Sequence, residues 1–233
     1  MSDRPVAVVT GGNRGIGREV CRQLAAAGYA VRLGARDAAR GEATAAELGP
    51  DVRALALDVA DHDSVAAAAE RVAAEDGRCD ALVNNAAIHY DWDAFAASAD
   101  LGIVHEAMET NLFGAWDVTL AFLPLLRAAP SARIVNVSSQ AGSLATMGGG
   151  TPAYHVSKAA LNAFTLTLAD ELHGSGVLVN AVCPGWTYSG EGGMGAPGGR
   201  PIEDGAASVV WGVLLADGGP TGGFFRDGRP LPW

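Results

Sequence analysis

The sequence predicts an α/β fold: a doubly wound parallel β-sheet flanked by helices, in one domain spanning 1–233. Three observations carry this. Strand-like and helix-like stretches alternate along the chain, and continuous βα alternation implies a parallel sheet with right-handed crossovers. Of the 233 residues, 49% are apolar, much of that Ala, Val and Leu, which suits a sheet buried on both faces. Finally, the β-branched run Val6–Thr10 leads directly into a glycine cluster and then a helical stripe of Val20, Leu24 and Ala27.

Taken in order, the strands are expected at Val6–Thr10, Ala30–Gly34, Val52–Leu57, Ala81–Asn84, Arg133–Ser138 and Val177–Val182, with a short last one at Gly223–Phe225. Each is a short apolar run bounded by turn residues. Helices fill the gaps at Gly15–Ala27, Ala38–Leu48, Ser64–Glu75, Asp100–Ala128, Pro152–His173 and Ile202–Ala216. Two glycine-rich segments break the pattern, Gly142–Thr151 and Trp186–Arg200. They are expected to be loops that discriminate between ligands, the second as a lid.

The formal net charge of −10 argues against nucleic acid or an anionic membrane as partner. No run approaches 18 apolar residues, and Met1–Arg4 leads straight into the first strand, so no membrane span or signal peptide is expected. Cys21, Cys79 and Cys183 are odd in number and lack C-x-x-C spacing. They read as small core fillers in a reducing cytoplasm. No His/Cys/Asp cluster has metal-ligand spacing, so no metal is implied.

Two motifs carry chemistry. Thr10-Gly11-Gly12-Asn13-Arg14-Gly15-Ile16-Gly17 is a strand–turn–helix junction, which points backbone N–H groups and a helix N-terminus at a phosphate. Tyr154-His155-Val156-Ser157-Lys158 places a phenol and an ammonium one helical turn apart, on one face, with Ser138-Ser139 upstream. A neighbouring cation favours the phenolate, so Tyr154 is expected to have its pKa pulled down toward the range of a working general acid.

With these motifs, the chain resembles the classical short-chain dehydrogenase/reductase family, whose fold is Rossmann-type. The markers stand in the family's order: the T-G-x-x-x-G-x-G turn, Asp58-Val59 after the third strand, Asn84-Asn85-Ala86-Ala87 after the fourth, then Asn111, Ser139, Tyr154, Lys158 and Pro184-Gly185. The resemblance implies Tyr154 as proton donor and Lys158 as the group that lowers its pKa and bonds the nicotinamide ribose. It implies Ser139 as donor to the carbonyl oxygen, with Ser138 structural or beside the cofactor. Asn111 would help hold a water that relays protons to the lysine.

Cofactor binding is expected from Gly11, Asn13, Arg14, Gly15, Ile16, Gly17, Asp58, Val59, Asn85, Ala86, Tyr154, Lys158, Pro184, Gly185 and Thr187, with Ser189 nearer the usual hydroxyl position. The family usually has glycine at Ala87, where the extra methyl can press on the cofactor cradle or change a backbone angle; it is expected to be a tolerated variant. Asp37 fits the generic count for an acid on a ribose 2′-OH. Ala35, however, holds the place where NAD-using relatives carry theirs, and Arg36 follows it. Arg36, Arg40 and Arg14 can surround a 2′-phosphate, leaving Asp37 as a helix N-cap. The expected cofactor is NADP(H).

His89, Tyr90 and Trp92 are expected to form one wall of a substrate pocket, with none of the five histidines catalytic. The implied activity is reduction of a ketone or aldehyde, on a bulky, partly apolar small molecule. The alternatives are oxidation of a secondary alcohol, and a non-catalytic NADP sensor. The chain lacks the long insertion before the tyrosine found in some monomeric members, so a homodimer or homotetramer through the Asp100–Ala128 and Pro152–His173 helices is implied.

Overall fold

Alternate residues of the first strand leave the sheet on opposite sides, and two separate cores result. In the computed structural model, which describes residues 4–89, 91–188 and 198–233, the elements run β1 (Val6–Val9), α1 (Gly15–Ala26), β2 (Ala30–Ala35), α2 (Ala38–Leu48), β3 (Val52–Ala56), α3 (His62–Glu75), β4 (Ala81–Asn84), α4 (Leu101–Met108), α5 (Ala115–Ala128), β5 (Ala132–Val137), α6 (Pro152–Glu171), β6 (Val177–Val182), α7 (Ile202–Val213), β7 (Phe224–Arg226) and β8 (Arg229–Pro230). Val6 and Val8 pack with Leu82, Ile134 and Val179 against α3, α5 and α6. Ala7 and Val9 pack with Leu33, Val83 and Val135 against α1 and α7. This period-two division is what a strand buried on both faces requires.

The strand order is β3-β2-β1-β4-β5-β6-β7-β8, parallel except for the β7–β8 hairpin. It reverses direction between β1 and β4, which pair Ala7 with Ala81 and Val9 with Val83. A crevice opens beyond the strand ends at such a reversal. The hairpin was not expected, although Asp227-Gly228 at its tip, with φ of 53° and 73°, is a type I′ pair.

The expected helix at Asp100–Ala128 is divided by a π-helical stretch, Glu109–Gly114. There Gly114 lies so close to β3's end that an added Cβ would stand 2.7 Å from the Val59 carbonyl oxygen. No helix among the described residues is long and apolar enough to cross a membrane. Among those residues no group of His, Cys, Asp or Glu is arranged to hold a metal ion. The three cysteines are free and buried.

Candidate active site

The turn after β1 is main chain packed on main chain. Gly11 (φ 63°) and Gly15 (φ 56°) adopt left-handed conformations that favour glycine. A Cβ on Gly17 would lie 2.3 Å from the Gly11 carbonyl oxygen. Thr10 ties this turn to the end of β4: its hydroxyl accepts from the Asn85 and Ala86 N–H groups, both at 2.9 Å. The Asn85 amide donates back to the Thr10 carbonyl at 2.8 Å. α1 begins after Arg14, whose guanidinium has no acceptor with which to cap a helix, so the first N–H groups suit an anion from outside. The turn therefore fits a dinucleotide pyrophosphate.

A cleft of about 570 Å³ runs from this turn across the strand ends. Its wall includes Gly11, Asn13, Arg14, Gly15, Ile16 and Gly17 on one side and Asp58, Val59, Asn85 and Ala86 beneath. Arg36 and Arg40 stand at the end of β2, where Ala35 is buried. Asp37 is the N-cap of α2, accepting from Arg40 N–H at 3.1 Å, so the sequence reading of it as a cap agrees with the geometry. It also pairs with the exposed Arg40 side chain at 3.3 Å. Ala87 lies on the wall at an ordinary negative φ, since Thr151 and Asp227 are the non-glycine residues of positive φ among those described. Its methyl therefore strains no backbone.

At the other end, α6 brings Tyr154 and Lys158 to the cleft together with Pro184 and Ser138. Ser139 nearby lowers the Tyr154 phenol, yet burial dominates and pushes it up to about 12. Lys158 is 2% exposed. Its ammonium donates to the Val137 carbonyl at 2.9 Å and sits 5.8 Å from the Tyr154 ring centroid, and burial lowers it to about 8. The expected lowering of the phenol is not seen: burial raises it, and burial disfavours the charged form of Lys158 as well.

Several expected residues stand behind the wall. Asn111, 1% exposed, spends both N–H groups on the Ile88 carbonyl and Ser157 Oγ, and its oxygen accepts from Ile88 N–H at 2.8 Å. These bonds brace the chain after β4 against α6. The Thr187 hydroxyl donates to the Pro184 carbonyl at 3.0 Å and the Gly185 carbonyl at 3.3 Å. It closes a turn, and Gly185 faces Arg200. Ser138 donates to Asn162 at 2.6 Å, a structural hydroxyl. Tyr90, Ser189 and the middle of the Trp186–Arg200 segment lie outside the described residues.

The sequence reading missed three features of this end. His89 is sandwiched: its ring stacks on Tyr154 at 4.1 Å and on Trp92 at 3.7 Å, and burial lowers it to about 4. Asp91 accepts from Ala153 N–H at 2.7 Å, supplying the N-terminal cap of α6 that Thr151 (φ 40°) does not. Cys183, read as core filler, accepts from the N–H groups of Gln140 (3.3 Å) and Gly185 (3.4 Å) and so joins the turns after β5 and β6. The aromatic-rich H-Y-D-W run was the one local signal for the first two.

The family profile described as short chain dehydrogenase matches residues 5–192. The chain belongs to the short-chain dehydrogenase/reductase family. It is 32% identical over 287 residues to the NADPH carbonyl reductase 1 of Sus scrofa, covering 100% of this chain and 95% of that protein. Among solved structures it resembles the NADPH-bound carbonyl reductase from chicken fatty liver (TM-score 0.87, 27% identity, 99% and 100% covered). It also resembles salutaridine reductase of Papaver somniferum (TM-score 0.84, 30% identity, 96% and 100% covered). As a short-chain dehydrogenase/reductase it is an oxidoreductase acting between C=O and CH–OH, and its eight-stranded sheet is the family's Rossmann-type fold.

Proposed function

We propose that this enzyme reduces a ketone or aldehyde with NADPH, Tyr154 giving the proton to the carbonyl oxygen. The observation that carries the reading is the Tyr154 phenol: protonated at neutral pH, with Lys158 on the same helix, and on the wall of a cleft that begins at a glycine turn. Bound NADPH supplies the hydride. Gly11, Asn13, Gly15, Ile16 and Gly17 hold its pyrophosphate, and Arg14, Arg36 and Arg40 surround the 2′-phosphate. Asp58 and Val59 flank the adenine, Asn85 and Ala86 line the middle, and Pro184 with the turn through Gly185 and Thr187 abuts the nicotinamide. Lys158 bonds the ribose; Ser139 and Tyr154 both donate to the carbonyl oxygen, stabilising it as charge develops there.

The NADPH-using relatives support the cofactor. Reduction is favoured over alcohol oxidation because relatives that the chain resembles are named carbonyl reductase and salutaridine reductase. Exposed Trp92, Trp186 and Tyr188 at the open end support a bulky, partly apolar substrate. Exposed Phe113, Trp116 and Leu120 beside exposed Leu166 support a homodimer or homotetramer through α5 and α6, which light scattering on Leu120→Glu would reduce to monomers. Three buried free thiols suit a reducing compartment.

The test is loss of NADPH absorbance with bulky ketones and aldehydes. Turnover is expected with NADPH, weak with NADH, and lowered about a thousandfold or more in Tyr154→Phe with NADPH affinity unchanged. Equal turnover by Tyr154→Phe would overturn the assignment of the proton.

A further inference from the structure

A second cavity, of about 420 Å³, adjoins the cleft, and Trp92 lines both. Its ionisable lining is entirely acidic: Asp91, Asp93 and Asp100, with no lysine, arginine or histidine among the residues that form it. Asp100 is engaged in capping α4, accepting from Gly102 N–H at 2.8 Å. Asp91 is different. Its side chain is 3% exposed, one oxygen caps α6 at Ala153, and the other, Oδ1, is buried with no hydrogen-bond partner. Nε2 of His89 lies 3.7 Å away, itself buried and without a hydrogen-bond partner.

A buried carboxylate oxygen facing a neutral ring nitrogen is a costly arrangement unless something donates to it. Burial keeps His89 neutral near pH 7, so at 3.7 Å its ring brings no competing charge. Trp92 adds an aromatic face against His89, and Trp186 meets Trp92 edge-on with centroids 6.3 Å apart. Carboxylates beside indole faces are the chemistry that recognises an organic cation.

We propose that the cavity is the distal part of the substrate site and takes a protonated amine, its N–H donating to Asp91 Oδ1 with the cation against Trp92. The substrate class is then an amine-bearing ketone or aldehyde, with the carbonyl at Tyr154 and the ammonium beyond Trp92. This rests on the carbonyl-reductase reading above and is tested separately from it.

The probes are para-(dimethylaminomethyl)acetophenone, cationic at neutral pH, and its uncharged isostere para-isobutylacetophenone. Their binding to the protein is measured by calorimetry with and without NADP⁺, and NADPH oxidation is followed in parallel. The cation is expected to bind at least about tenfold tighter than the isostere. Asp91→Asn, which keeps an oxygen to cap α6, should erase most of that preference, and Asp93→Asn, at the exposed mouth, should reduce it. Neither should change isostere binding. Equal binding of the two probes, or a preference that survives both substitutions, would overturn the proposal and leave Asp91 as a helix cap only. If the cation is preferred but neither ketone is reduced, the amine site stands and the reductase reading falls.

Discussion

Beneath α1 the surface that the cleft offers a ligand is main chain. Gly11, Gly15 and Gly17 leave no side chain to pack, and the Thr10 and Asn85 bonds hold the carbonyls and amides in place. Beside α6 the surface is side chains: exposed Trp92 stacked on His89, His89 stacked on Tyr154, and buried Lys158 under the strand ends. Under the proposed function the first end takes what every dinucleotide has, a pyrophosphate, and the second takes the carbonyl substrate. Rigid recognition of the constant ligand and adjustable recognition of the variable one are separated along a single cleft.

The largest effect is expected where an atom is added to the main-chain end. In Gly17→Ala the new methyl meets the Gly11 carbonyl, which cannot rotate away as a side chain could. NADPH affinity should fall roughly a hundredfold by fluorescence titration, since overpacking typically costs about 1–3 kcal/mol. His89→Ala, at the other end, should leave that affinity within about twofold. If the two substitutions weakened NADPH alike, the division of the cleft would be wrong.

Arg36→Ala sharpens the same contrast. Removing a charge-assisted contact to a phosphate should raise the KM for NADPH by about tenfold or more and leave that for NADH unchanged. Equal effects on both cofactors would place Arg36 away from the 2′-phosphate.

The side-chain end should respond to pH. Lys158 has its pKa lowered to about 8, so it is charged below that value and neutral above it. Tyr154, raised to about 12, keeps its proton across the same range. Reduction that needs both Lys158 charged and Tyr154 protonated should have kcat/KM level below about pH 8 and falling above it. Lys158→Arg keeps the charge at every pH used, and whatever activity it retains should lose this alkaline limb. A limb that persisted in Lys158→Arg would assign the titration to another group.

The main-chain end was legible in the sequence because its pattern is local: a β-branched run, three glycines at fixed offsets, a helical stripe. Tyr154 and Lys158 were legible for the same reason, one helical turn apart. What was not legible depends on segments far apart in the chain. The expectation for the Tyr154 pKa counted Lys158, four residues away, and not the burial of the phenol. Asn111 could be singled out as an awkward helix residue, but its three bonds to Ile88 and Ser157 exist only once α6 and the end of β4 converge. The Asp91 cap on Ala153 and the Cys183 bracket between two turns are likewise products of the closed sheet. The Asp227-Gly228 hairpin, by contrast, was local and readable.

The smallest effect is expected at Ala87, which occupies a place usually held by glycine in the family and was expected to be tolerated. Its backbone has an ordinary negative φ, so the methyl that it adds to the cleft wall brings no strain. Ala87→Gly should therefore leave NADPH affinity within about threefold. Its effect should fall on stability: the glycine frees the unfolded chain and should cost about 0.4–1 kcal/mol, a small drop in midpoint by chemical denaturation. A large gain in NADPH affinity would instead mean that the methyl presses on the cofactor, and the main-chain end would then be less uniform than its hydrogen bonds indicate.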